Sequence, residues 1–209
     1  MLYTTELQQL IISSILGDGS FTKKGANRNS KLSVAHCIQQ RELIEYKHKI
    51  LLGSGLANSI CYNRIRNPRY KKGYIEEYRF KSKPHEIFTA IREECYIDGR
   101  KRVVPKHIQG ISPLGLALWY MDDGNVTNDS FQINTQSFSD EEKFYLQMLL
   151  KDKYNVKCSV HKQGQLYIFK ESSENFIKLV KPYMLNSMLY KVIPYNKRVL
   201  YKSGELQER

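Results

Sequence analysis

"LWYMDDGNV" (118–126) sets four large apolar residues ahead of two adjacent carboxylates and a glycine. "IISSILGDGSF" (11–21) has the same form: an apolar helix running into Asp-Gly. The two stretches align with Asp18 on Asp123 and Gly17 on Asp122, 105 residues apart. A helix C-terminus disfavours anions, because its unpaired carbonyls form the negative pole of the helix dipole. Aspartate at that place twice is therefore unexpected for a plain structural helix end. Two such helices side by side would bring Asp18 and Asp123 together. Carboxylates forced together repel unless a cation lies beside them. Oxygen ligands with positions left for water suit Mg2+. Paired ions of that kind stabilise the attacking and leaving oxygens in phosphodiester hydrolysis.

The flanking patterns repeat. Apolar spacing predicts a helix over 5–16, alternation a strand over 31–39, and a helix follows over 41–52. Strands are expected over 59–65 and 74–82 and a helix over 86–96. The order then starts again: a helix over 114–121 with Ser112 as cap and Pro113 at its start, a strand over 131–137 and a helix over 140–150. A hairpin over 156–162 and 165–170, a helix over 174–183 and a closing stretch over 190–194 complete it. Each half thus reads α-β-α-β-β-α. "EIFTAIREECYIDGRKRVVP" (86–105) lies over "NFIKLVKPYMLNSMLYKVIP" (175–194) without gaps, pairing Arg102 with Lys191. The expected organisation is 1–108 and 109–209, one compact monomer with no low-complexity linker.

The formal net charge is +12. That points to a polyanionic partner, most simply nucleic acid. No apolar run reaches the roughly 20 residues of a membrane span, and the first residues lack a signal-peptide pattern. The expected setting is intracellular: an organelle (mitochondrion or chloroplast) or a bacterial or phage cytoplasm. The four cysteines hold no CxxC pair, which argues against structural zinc or a disulfide framework.

The two Asp-Gly helix ends, with "INTQSFSDEE" (133–142), "KPYMLNSMLYKVIP" (181–194) and "KRVVP" (101–105), resemble the LAGLIDADG homing endonucleases in their two-motif, single-chain form. The resemblance implies an α+β fold of two pseudo-twofold-related α-β-β-α-β-β-α-like halves. The motif helices would lie at the interface, and antiparallel β-sheets would form a DNA-binding saddle. It implies that Asp18 and Asp123 are metal-binding catalytic acids, assisted by the carbonyls of Gly17 and Asp122. Lys191 would orient the attacking water or stabilise phosphate charge. Arg102 holds the matched place in the first half, with Lys101 beside it, and an arginine cannot accept a proton. Gln136 is a candidate for positioning water at the metals. Two or three divalent ions are implied: Mg2+, with Mn2+ substituting and Ca2+ binding without supporting cleavage. Where the family has small residues at the helix crossing, Ser13, Ser14, Gly17, Gly115 and Ala117 fit, but Leu118 is bulky.

A two-stranded ribbon laid in the major groove can distinguish all four base pairs. Candidate contacts in the first half are Lys31, Ser33, Gln39, Arg64, Arg66, Arg69, Arg79 and Lys81. In the second they are Gln132, Asn134, Lys157, Ser159, His161, Gln163 and Lys170. Lys23-Lys24, Lys71-Lys72 and Lys197-Arg198 would meet phosphates. The expected function is a site-specific double-strand DNA endonuclease. It would hydrolyse a long, asymmetric target and leave 3′ overhangs, with no membrane and no protein partner required. The alternatives are an RNA maturase acting on its own intron, which needs the basic surface but not the acids, and a non-catalytic DNA-binding protein on the same fold.

Overall fold

The computed structural model describes residues 5–23, 25, 28–127 and 130–193. The chain divides into two compact units, Met1–Gly115 and Leu116–Arg209.

The first unit opens with α1 (Thr5–Leu16), followed by β1 (Ser20–Phe21), β2 (Leu32–Cys37), α2 (Arg41–Gly53), β3 (Ile60–Arg66) and β4 (Tyr74–Lys81). Then come α3 (Glu86–Glu94), β5 (Tyr96–Ile97), β6 (Arg100–Lys101) and α4 (Pro105–Ile108). Its four-stranded sheet runs β1-β2-β4-β3, antiparallel throughout. Leu32, Val34 and Phe80 of the sheet and Leu43, Ile44, Ile50 and Leu51 of α2 are all buried. The helix packs on β2 and β4.

Helix α5 (Pro113–Asp123) leads into the second unit: β7 (Gly124–Val126), β8 (Phe131–Ile133), α6 (Asp140–Tyr154), β9 (Cys158–Val160), β10 (Leu166–Ile168) and α7 (Lys170–Val180). Two 3-10 turns follow, Lys181–Tyr183 and Asn186–Lys191. The second sheet runs β7-β8-β10-β9, the same order as the first, which is the structural form of the repeat. Both units therefore follow the α+β plan expected from the sequence. The strand directly after each motif helix, two and three residues long, is too short to show an alternation pattern.

Several boundaries differ from the sequence reading. The strand expected over 131–137 ends at Ile133. Thr135 Oγ1 donates to Gly164 O at 2.6 Å, and Phe138 N to Thr135 O, closing a turn instead. Gln39 lies on a 3-10 turn, Ile38–Gln40, rather than on a strand. Lys170 opens α7 rather than closing the hairpin. The helix expected over 114–121 continues through both carboxylates to Asp123. The stretch 96–101 is a hairpin: Asp98 (φ 49°) and Gly99 (φ 82°) both take the left-handed conformation a two-residue primed turn requires. No described helix is long and apolar enough to cross a membrane.

Candidate metal and nucleic-acid site

The end of α1 is built by contacts within the first unit. Gly17 N still donates to Ser13 O at 2.7 Å, but the helix stops at Leu16 and Asp18 lies beyond it. The Asp18 side chain is 47 % exposed. Gly19 lies close on Ser14: a Cβ there would stand 2.4 Å from Ser14 Cβ and 2.8 Å from Ser14 Cα, so a larger residue fits only if something shifts. The Asp98-Gly99 turn sets Tyr96 opposite Lys101. Tyr96 is itself fixed: its hydroxyl accepts from Phe21 N at 3.1 Å, and the Arg92 guanidinium lies over its ring. Lys101 Nζ consequently reaches the helix end and donates to Ser14 O at 3.2 Å and to Gly17 O.

This corrects the pairing of Arg102 with Lys191. Adjacent residues in an extended stretch point to opposite sides, so Arg102 is exposed while Lys101 turns inward. A gapless alignment hides that one-residue slip. Both halves thus carry a lysine at the helix end.

In the second unit Lys191, 8 % exposed, closes the last 3-10 turn. Its Nζ donates to Met121 O at 2.6 Å and to Asp122 O at 2.9 Å. The Tyr120 hydroxyl lies 2.8 Å from Lys191 O and 3.0 Å from Asn125 O. The Tyr120 ring stands edge-on to Phe131 and Phe176. Asp123 is half-buried and its carbonyl accepts from Asn134 N at 3.0 Å, whereas Asp122 is 8 % exposed. A buried lysine is tolerated because its protons find acceptors, and its charge suits the negative pole of a helix end.

Each half therefore offers a carboxylate next to a backbone carbonyl. Both are hard oxygen donors of the kind Mg2+ and Ca2+ take, with solvent access for water to complete the shell. The carbonyls of Gly17 and Asp122, expected to assist a metal, each accept from a lysine. Gln136 is exposed on the turn after β8, with its Cα beside Gly164. Behind Asp18 lies a residue that is not among the candidates read from the sequence. His36 of β2 is buried, with Nδ1 3.6 Å from Asp18 Oδ2 and Nε2 3.3 Å from Lys47 Nζ.

Cross-strand partners share a face, so the register sorts the candidate DNA contacts. In the first sheet Ser33 pairs with Lys81, Ala35 with Arg79, and Arg79 with Cys61. Of these, Cys61, Arg79 and Lys81 line an open groove with Lys31 and Asn63 and with His48 and Leu52 of α2. Arg79 is held there by Glu77 at 3.0 Å. Arg64 and Arg66 pair with Glu76 and Tyr74, on the face that carries Phe80, and project past the core. Arg64 stacks over the Tyr74 ring at 3.6 Å. Arg69 is exposed on the 67–73 turn. In the second sheet Gln132 pairs with Asn125 and Tyr167, and Tyr167 with Ser159, all outward. Asn134 is exposed past the strand end, and His161 and Gln163 are exposed on the β9–β10 turn. Lys157 pairs with Glu171 at 3.0 Å. Asn63, Asn125 and Tyr167 were missed; cross-strand register was the signal that would have found them. Lys24, Pro194, Lys197 and Arg198 lie outside the described residues. Burial pushes the Cys95 and Cys158 thiols up to about 12, so neither serves as a nucleophile at neutral pH.

Two successive units of one topology, each with an aspartate at or just past the end of its motif helix and a lysine-held carbonyl beside it, define a repeat-built α+β protein with duplicated acidic helix ends. Comparison with known proteins places it. The chain belongs to the LAGLIDADG DNA endonuclease family, whose model matches residues 8–179. It is 32 % identical over 199 residues to cytochrome b mRNA maturase bI2 of Saccharomyces cerevisiae, covering 89 % of this chain and 47 % of the relative. The same-named maturase of Debaryomyces hansenii is 30 % identical over 200 residues, covering 91 % and 74 %. Intron-encoded endonuclease ai4 of Dictyostelium discoideum is 33 % identical over 124 residues, covering 56 % and 78 %. The chain thus spans about half the length of the Saccharomyces relative. In fold it resembles the homing endonuclease I-WcaI, solved bound to its DNA recognition sequence. The TM-score is 0.79, at 24 % identity, over 92 % of this chain and 88 % of that one.

Proposed function

We propose that this chain is a site-specific double-strand DNA endonuclease that uses divalent metal, in keeping with its family. The observation that carries the reading is the duplicated helix end: an aspartate, a backbone carbonyl and a lysine ammonium, built twice from different elements. Asp18 with Gly17 O, and Asp123 with Asp122 O, would hold Mg2+. The bound ions would supply charge stabilisation of the attacking and leaving oxygens of a phosphodiester. Lys101 and Lys191 hold the helix-end carbonyls in place and set a positive charge where phosphate charge would develop. The outward sheet faces, with Ser33, Arg79 and Lys81 in one half and Asn125, Gln132 and Ser159 in the other, would read base edges. Because the two faces differ, the target is long and asymmetric. The products carry 3′ overhangs, and the protein works intracellularly as a monomer.

The bI2 relatives favour a second reading, an RNA maturase on the same scaffold. One experiment separates the two: cleavage of a randomised double-stranded DNA library with Mg2+ beside a Ca2+ control, with the cut ends sequenced. Discrete Mg2+-dependent cutting at one long sequence is expected, and its loss in Asp18→Asn and in Asp123→Asn with DNA binding retained. Full cutting by either variant would remove that aspartate from the metal site. Binding without cutting by the parent chain would favour the maturase reading.

A further inference from the structure

Lys47 is fully buried on α2, on the stripe of Leu43, Ile44, Ile50 and Leu51 that faces the sheet. A lysine at such a position is costly unless its protons are accepted. Its Nζ lies 3.3 Å from His36 Nε2, and the contact is buried. An ammonium has protons to donate and no lone pair to offer, so Nε2 must accept. The neutral imidazole then carries its proton on Nδ1. Nδ1 is the nitrogen that faces Asp18 Oδ2, 3.6 Å away, just beyond hydrogen-bond reach. The His36 side chain is 2 % exposed and that of Asp18 47 %. A string of polar groups therefore runs from the interior of the first unit to the acid at its surface.

Among the described residues the string has no counterpart at the matching positions of the second half. Strand register places Leu32 with Phe131 and Ser33 with Gln132, each pair sitting opposite the same step after its Asp-Gly. Counted onward, His36 corresponds to Thr135. The helix starts Arg41 and Asp140 keep the same offset, so Lys47 corresponds to Leu146. Leu146 is buried, and the Thr135 hydroxyl is spent on Gly164 O at 2.6 Å.

We propose that Lys47 and His36 are positioning residues for Asp18. Lys47 sets the imidazole tautomer, and the Nδ1–H orients the Asp18 carboxylate, in the first half only. The two DNA strands are then cut by unequal centres. This rests on the endonuclease reading for its consequence at DNA, but not for the Lys47–His36 contact and the tautomer it sets. In this arrangement His36 turns a donor, not a lone pair, toward Asp18 and steadies its carboxylate. Removal of a group that orients a metal ligand typically costs 10- to 100-fold in affinity or activity.

The first test does not need cleavage. Two-bond nitrogen–proton correlation spectra of the full chain at pH 8 without added metal are expected to show His36 as the Nδ1–H tautomer. Lys47→Met, which keeps volume and removes the donor, is expected to shift it toward Nε2–H, and Asp18→Asn to move the Nδ1–H resonance. An Nε2–H tautomer in the parent chain overturns the proposal, as does a tautomer indifferent to Lys47→Met in a folded variant. The second test uses a supercoiled plasmid carrying the sequence recovered from the library. His36→Leu and Lys47→Met are expected to slow one strand's cut 10- to 100-fold, so that circles nicked in a single strand accumulate. His36→Gln, whose amide retains a donor, recovers part of the rate, and Thr135→Val gives no strand bias. Equal slowing of both strands, or none, overturns the proposal. If the parent chain does not cut, the endonuclease reading fails while the spectra still decide the string.

Discussion

At the end of α1 the backbone leaves the helix at Leu16, and Asp18 stands beyond it, half exposed. At the end of α5 both Asp122 and Asp123 remain helical, and Asp122 is buried. The glycine that follows lies over Ser14, five residues back, in the first half, and over Tyr120, four back, in the second. The two ends are wound differently by one residue. Each nevertheless places a lysine Nζ on its last carbonyls, from the strand β6 in one half and from a 3-10 turn in the other. When different local structure converges on one contact, that contact is what the repeat preserves. The contact that is not repeated, His36 with Lys47, marks where the halves have parted.

Substitutions that break this comparison fall in order of size. Largest is the loss of double-strand cleavage in the Asp18→Asn and Asp123→Asn variants. Parallel Asp122→Asn measurements sharpen the second site: with Asp122 buried and its carbonyl held by Lys191, Asp122→Asn is expected to keep more activity than Asp123→Asn. The reverse order would transfer the ligand role from Asp123 to Asp122.

Next come the two glycines. A Cβ on Gly124 would sit 2.2 Å from the Tyr120 ring and 2.4 Å from the Tyr120 carbonyl oxygen. Backbone cannot step aside as a side chain can. Gly124→Ala is expected to cost about 3 kcal/mol, the upper part of the range for overpacking. Gly19→Ala presses mainly on the small Ser14 side chain and is expected to cost less, about 2 kcal/mol. Chemical denaturation of both variants checks the order; equal losses would mean that the extra residue of winding gives no room.

The lysines follow. Lys191→Met leaves Met121 O and Asp122 O without their buried donor, a cost of about 1–3 kcal/mol, and slows cleavage. Lys101 is half-buried, so Lys101→Met is expected to slow cleavage with a smaller loss of stability. Arg102→Met is expected to change neither by a measurable amount in the first-half cut. A larger rate loss for Arg102→Met than for Lys101→Met would restore the original pairing.

The parts of this picture differ in how plainly the sequence carries them. The duplicated Asp-Gly ends, the α+β class and the sheet-forming runs are legible because period and punctuation are local. The β5–β6 hairpin has a local signal too, Asp98-Gly99, but its strands are two residues long and merge with a helix pattern on one side. The inward turn of Lys101 depends on that hairpin's register, which the gapless repeat alignment overrides. Lys47 sits at i+3 and i+4 from Ile44 and Leu43 and before Ile50 and Leu51, so its place on an apolar stripe is visible. What it meets is not, because His36 comes from another element. Strand faces likewise need pairing: Arg64 and Arg79 look alike in sequence and point to opposite sides.

The smallest effect lies in how the second helix of each half begins. Ser139 caps α6 through a capping box: its Oγ accepts from Glu142 N at 3.3 Å, and Ser139 N donates to Glu142 Oε2 at 2.7 Å. Asp140, Glu141 and Glu142 add negative charge at the positive pole of the helix. In the first half Gln40 stands at the same place ahead of α2 and makes no side-chain cap bond. There a 3-10 turn leads straight into the helix. Ser139→Ala is therefore expected to cost about 1 kcal/mol, and Gln40→Ala a few tenths at most. Thermal melts of the two variants read the difference. A cost for Gln40→Ala matching that for Ser139→Ala would show that the α2 entry depends on its side chain after all. The capping difference would then cease to separate the halves, leaving the His36–Lys47 contact and the winding of the helix ends as the features that do.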